Sequence, residues 1–227
     1  MRALWREEDI ELLELIARDD ETRALLLRMA ALWRNGSLAS FIEELTTDAE
    51  LDAETAARRQ LALAQVRQYG DPVLRMRAHE VTSFDEDLER LVTRMRVLMH
   101  DARGVGLAAT QVGILQRVFV FQHGEDDVVA VVNPVLSELS DELATDDEGC
   151  LSMQGVTMPV ERHLRLTLTG QDPGGNELRL ELEGHPARVV QHETDHLDGT
   201  LILDRTDDAS RKEALAVLRP RPILAAS

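Results

Sequence analysis

Residues 164–199 read LRLTLTGQDPGGNELRLELEGHPARVVQHETDHLDG. The hydrophobic period changes once inside this stretch. Leu164–Thr169 alternates leucine with polar residues, Asp172-Pro173-Gly174-Gly175 is turn chemistry, and Glu177–Leu182 alternates again. That spacing predicts an antiparallel hairpin. Beyond Gly184 the alternation stops. Val189, Val190 and Leu197 then predict a helix over about 186–198 with one side in a core. Pro186 suits its first turn and Gly199 its end.

Working outward, Arg117–Gln122 and Val128–Val132 are valine-rich and read as strands. Ser83 followed by Glu86 is a capping-box pattern. It predicts a helix over about 84–101, with Leu88, Leu91, Val92, Met95 and Met99 on its apolar side. A polar helix near 207–218 stops before Pro220. Residues 1–65 read as a helical extension: apolar residues mark amphipathic stretches at Leu12–Ile16, Leu25–Trp33 and Phe41–Leu45, residues 53–68 are rich in alanine, arginine and leucine, and Asn35-Gly36 is a helix stop. The turn Tyr69-Gly70-Asp71-Pro72 marks the expected boundary. The predicted class is α+β, with antiparallel strands packed around a central helix. The expected organisation is an extension over 1–65, a catalytic domain over 66–220 and a tail over 221–227.

The central helix carries His192-Glu193-Thr194-Asp195-His196, an H-E-x-x-H pattern. Histidines four apart share a helix face and can grip one metal ion; the glutamate beside them can serve a water as base. Three fixed residues also arise by chance, so the remaining ligand matters. A catalytic site needs a third protein ligand and an open position. Cys150 is the only cysteine, 192 − 150 = 42 residues upstream, which excludes an intramolecular disulfide. It stands in Glu148-Gly149-Cys150-Leu151-Ser152, beside an acid and a flexible glycine. A Cys-His-His set suits zinc and ferrous iron. Gln191 and Asp195 are candidates for orienting the ligands. A general zinc peptidase, with Asp204 or Asp207 as third ligand, is the competing metal reading.

Composition narrows the function classes. The 227 residues are 44% apolar, enough for a real core, and carry 42 acidic against 25 basic residues for a formal charge of −17. That balance speaks against general nucleic-acid or anionic-membrane binding. No apolar run reaches the length of a membrane span, and the acidic start lacks a signal-peptide core. These features predict a soluble, cytoplasmic protein.

Gly104-Val105-Gly106-Leu107-Ala108-Ala109-Thr110-Gln111 is small and flexible enough for a substrate backbone to approach. It lacks the spacing and the lysine of a phosphate loop. This segment, then Glu148–Ser152, then His192–Gly199 together resemble the three signature motifs of the peptide deformylase family, over about residues 65–218. The resemblance implies a metal-dependent hydrolase. Such an enzyme removes the formyl group from the N-terminal formyl-methionine of newly made chains, at or near the ribosome, and releases formate. It implies Cys150, His192 and His196 as ligands of one divalent ion, Fe2+ in the cell, with Zn2+, Ni2+ or Co2+ as replacements. It implies Glu193 as general base and proton shuttle. The Gln111 side chain and the Leu151 backbone N–H become donors to the substrate oxygen. Gly106 is matched to the substrate backbone, Val105 and Leu107 to the methionine pocket and nearby core, and Arg162 to the mouth of that pocket.

Some positions depart from the family pattern. Gln154 stands where proline is common, two places after the motif serine. Asp146 stands where an apolar residue is common, in an acidic run with Asp141, Glu142 and Asp147. His185-Pro186 precedes the central helix where larger apolar residues are frequent. An acidic rim favours cationic substrates or is a solvated edge. These departures motivate a second reading: a specialised hydrolase for another N-formylated or N-acylated compound. A third, a metal-bound interaction protein without catalysis, predicts loss of Glu193 or Gln111, and both are present.

Overall fold

The computed structural model describes residues 53–124 and 127–218. The helices expected within 1–52 and the tail 221–227 lie outside them. The chain divides into two units, Met1–Ala57 and Arg58–Ser227. The second holds everything described below. It begins upstream of the expected boundary because residues 58–63 are helical and place Ala62 and Leu63, with Val66, in the core.

The architecture is α+β. Five strands form one antiparallel sheet in the order β1-β2-β3-β6-β7: β1 (Gly106–Ala108), β2 (Val118–Gln122), β3 (Val128–Ser137), β6 (Arg165–Gln171) and β7 (Glu177–Glu183). β4 (Leu143–Cys150) and β5 (Met153–His163) form a separate antiparallel pair. Three helices belong to this unit in full: α1 (Glu86–Asp101), α2 (His185–Leu197) and α3 (Asp208–Leu218). Among the described residues no helix is long and apolar enough to cross a membrane.

Side chains alternate across a strand, and here both faces are covered. Val118 and Val120 pack with Val92, Met95 and Met99 of α1. Phe119 and Phe121 turn the other way, onto Val190 and Leu197 of α2, with Leu166 and Leu168 of the predicted hairpin. A third cluster joins Met158 and Val160 of β5 to Ile202 and Leu203 and to Ala214 of α3. Each cluster removes whole aliphatic or aromatic side chains from water, at roughly 1.5–3 kcal/mol apiece.

The helix ends explain two boundaries. Asp85, not Ser83, caps α1, accepting from the backbone N–H groups of Asp87 and Leu88. The predicted start was therefore slightly early. Gly199 ends α2 at φ +74, where a Cβ would lie 2.7 Å from the Arg75 carbonyl oxygen. Both the backbone angle and the space demand glycine there.

Candidate active site

α2 sets His192 and His196 on one face, ring centroids 4.9 Å apart. The end of β4 delivers Cys150 to them, its Sγ 3.2 Å from His196 Nε2. One donor atom from each of the three lies within 4.8 Å of the others. Tetrahedral bonds of ~2.0–2.3 Å put ligand atoms roughly 3.3–3.7 Å apart, so this donor set fits one ion. His192 Nδ1 lies 3.0 Å from Glu148 Oε2, which leaves Nε2 for a metal. His196 Nδ1 is buried without a partner. Burial pushes His196 well below the usual imidazole range, helped by the charge on His192. Burial opposes protonation of His192 too, but hydrogen bonds to Cys150 and Glu148 and the charges of Cys150 and Glu193 raise it well above that range.

Glu193 is buried beside the two histidines, and its Oε2 has no partner. Burial raises its carboxyl to about 7; the His192 charge opposes that rise and Glu148 adds to it. The backbone of Gly106 lies against this carboxyl: a Cβ there would sit 2.8 Å from Glu193 Cδ and closer still to Oε1. Gln111 closes the site from the other side. Its Oε1 accepts from the Ala108 N–H at 2.9 Å, which turns Nε2 toward Ser152 Oγ (3.1 Å) and Cys150 Sγ (3.6 Å). Leu151 follows Cys150 directly, and its carbonyl accepts from Gln68 Nε2 at 3.1 Å.

A charged network backs the ligands. Glu148 accepts from Arg162 Nε and Nη2 at 3.0 Å each and from Arg188 Nη1 at 2.8 Å, besides facing His192. Burial resists its ionisation, but the His192 and Arg162 hydrogen bonds and their charge outweigh it and hold the carboxyl at about 2. Arg162 touches the cleft but is only 5% exposed, held between Glu148 and Asp195 Oδ2 (2.6 Å). A guanidinium spent on two carboxylates braces the ligands. Asp195 accepts from Arg162 and Arg205, and Gln191 bonds His163 and Ala187. Sequence reasoning gave Glu148, Arg188 and Ser152 no role. The signals were present: Glu148 lies two residues from Cys150 on a strand, and Arg188 four residues before His192 on a helix.

These groups open onto a cleft of about 720 Å³. Val105, 43% exposed, Gly106, Gln111 and Glu193 line it with Cys150 and His192. Leu107 does not; it is fully buried in the core with α1.

Comparison with known proteins gives one answer. Residues 63–212 match the family described as polypeptide deformylase. The chain is 49% identical over 162 residues to peptide deformylase 1 of Corynebacterium glutamicum, covering 70% of this chain and 96% of that protein. It is 50% identical over 147 residues to the peptide deformylase of Thermotoga neapolitana, covering 65% and 89%. The crystal structure of the Thermotoga maritima peptide deformylase superimposes with a TM-score of 0.61 at 48% identity, covering 63% of this chain and 96% of that one.

Proposed function

The chain belongs to the peptide deformylase family and removes the N-formyl group from nascent polypeptides, and we propose that it does so in this cleft, with Cys150, His192 and His196 holding one divalent cation. Ferrous iron is the proposed ion in the cell, with Zn2+, Ni2+ or Co2+ as replacements. Bound there, the cation supplies Lewis acidity, polarising the formyl oxygen and making a water easier to deprotonate.

The chain's own groups do the rest. Glu193, buried with one oxygen unpartnered, takes the proton from the attacking water and passes it to the leaving amine. Negative charge develops on the formyl oxygen as the water adds. Gln111 Nε2 and the Leu151 N–H donate to it, and one such donor is typically worth ~2.7–4 kcal/mol. The substrate backbone lies along Val105 and Gly106, where the missing side chain leaves room above Glu193. Glu148 fixes the His192 ring, and Arg162 fixes Glu148. Formate and a free amino terminus leave. Residues 66–220, with residues 58–65 packed onto them, form the proposed catalytic domain. The proposed setting is the cytoplasm, on N-formylmethionyl chains at the ribosome.

One observation carries this reading: a thiol and two imidazoles meet beside a buried carboxyl with one oxygen unpartnered, at the wall of one cleft. The test is formate release from formyl-Met-Ala by anaerobic, iron-loaded protein, alongside Glu193→Gln. The variant should keep its metal and lose activity by about 10²–10⁴-fold. Full activity in that variant removes Glu193 from the mechanism.

A further inference from the structure

The Gln111 amide and the Leu151 N–H sit on distant segments of the chain, and one short strap ties the two segments together. Residues 66–69 follow the helical stretch that buries Leu63 and run without helix or strand. The Arg67 N–H donates to the Gln111 carbonyl at 2.7 Å, and the Tyr69 N–H donates to the Ser152 carbonyl at 2.8 Å. Between them, Gln68 Nε2 donates to the Leu151 carbonyl at 3.1 Å. On the far side Gln111 Nε2 donates to Ser152 Oγ at 3.1 Å and closes the ring. A step of two residues spans at most ~7 Å, so the strap limits how far the two segments can separate.

Leu151 is the member of this ring with the least support from regular structure. It lies in the turn from β4 to β5, where the register shifts after Gly149. The ladder pairs Cys150 with Met153 and passes Leu151 by. The Leu151 side chain rests against Gly104, where a Cβ would lie 2.8 Å from its Cδ1. Its carbonyl rests on Gln68. Only φ and ψ of Leu151 separate the plane of its N–H from the plane of its carbonyl. With Cys150 held among the ligands on one side, a grip on the carbonyl aims the N–H.

The Gln68 amide is itself oriented. Nε2 also donates to the Val66 carbonyl at 3.1 Å. Carbonyls only accept, so Oε1 is left to face Gln154 Nε2 at 3.2 Å. Gln154, a departure from the family pattern, thus steadies Gln68. Both glutamines are exposed, so neither belongs to the core. We propose, resting on the deformylase reading, that Gln68 is a positioning residue: through the Leu151 carbonyl it holds the Leu151 N–H toward the formyl oxygen.

The test compares formyl-Met-Ala with its thioformyl counterpart, using the iron-loaded full chain. Sulfur accepts hydrogen bonds weakly, so the thioformyl peptide draws less on the donors. Loss of a whole donor costs about 10²–10³-fold in kcat, and a displaced donor loses part of that. Gln68→Met keeps the side-chain length and removes the donor. It should lower kcat for the formyl peptide by about tenfold, leave KM within about twofold, and lower the formyl-to-thioformyl kcat ratio by at least about threefold. Both peptides are read on one preparation, so the ratio does not depend on how much enzyme is folded or metal-loaded. Gln68→Glu keeps the acceptor for Gln154 but not the donor, and it should match Gln68→Met. An unchanged ratio in Gln68→Met overturns the proposal, as does wild-type kcat in Gln68→Glu. No turnover of formyl-Met-Ala by the wild type with metal bound is a different failure, and it removes the deformylase reading itself.

Discussion

Gln111 has its amide oriented from both ends. The Ala108 N–H can only donate, so it fixes Oε1 and leaves Nε2 facing Cys150 and Ser152. A donor held this way needs no reorganisation when charge appears on the formyl oxygen. Gln111→Leu should therefore lower kcat by about 10²–10³-fold with metal content unchanged, checked by steady-state kinetics and metal analysis. A loss confined to KM would reduce Gln111 to a substrate contact. Glu193 makes a second prediction, in pH. Its ionised form is the base, and burial raises its carboxyl to about 7 without a cation. A divalent ion in contact range pulls that value down. The acid limb of kcat/KM in the metal-loaded enzyme should therefore lie below about 7, with activity rising as pH passes through it. An acid limb above that value contradicts the assignment. At this scale His192, Glu193 and His196 were legible because helix periodicity alone puts them together. The roles of Gln111 and Leu151 came only through family resemblance. The carboxylate partners of Arg162 lie on β4 and α2, and no local pattern records a distant carboxylate.

Helix α2 and strand β4 act as one ladder of facing polar groups: Cys150 meets His196, Glu148 meets His192 and Arg188, and Asp146 meets Arg188. This explains why the strand was invisible in the sequence. β4 reads LATDDEGC, whose inward residues are acids paired to the helix, so the alternation rule finds no apolar face. β5 does alternate at Val156, Met158 and Val160, but Gly155 and Pro159 interrupt it. β1, three residues long, is too short to carry a period. β2, β3, β6, β7 and the helices were legible because their partners are apolar. The ladder also predicts an acid transition. Glu148 ionises at about 2 in the fold against 4.5 ordinarily, so its contribution is fully present above 4.5 and lost as pH falls toward 2. That difference is on the order of 3 kcal/mol. Urea unfolding of the metal-free protein in pH steps should show this fall. Glu148→Gln should flatten it while costing about 3–5 kcal/mol at neutral pH, because Arg162 and Arg188 lose a buried counter-charge. A variant with wild-type acid sensitivity would place the transition elsewhere.

At the scale of the whole molecule, three apolar clusters surround one polar seam. The sheet packs α1 on one face and α2 on the other, while β5 and α3 enclose the third cluster beside β4. The seam needs that rigidity, since its charges are useful only at fixed distances. The first cluster speaks for an earlier start to the catalytic unit. Sequence reading put the boundary at 65/66, because Tyr69-Gly70-Asp71-Pro72 is the nearest turn chemistry. Composition could not show that Ala62 and Leu63, ahead of that turn, pack with Val92 and Met99. Arg59 Nε also donates to the Ala102 carbonyl at 3.3 Å, and Leu63 lines the cleft. Two shortened chains separate the boundaries. One starting at Arg58 retains Ala62 and Leu63; one starting at Val66 loses roughly 3 kcal/mol of apolar burial. For a unit of this size that loss lowers the melting temperature by about 6–12 °C. The Val66 chain should therefore melt lower than the Arg58 chain and bind substrate more weakly, its cleft lacking the Leu63 wall. Equal melting and equal KM for the two would return the boundary to 65/66 and make residues 58–65 a linker that happens to touch the core.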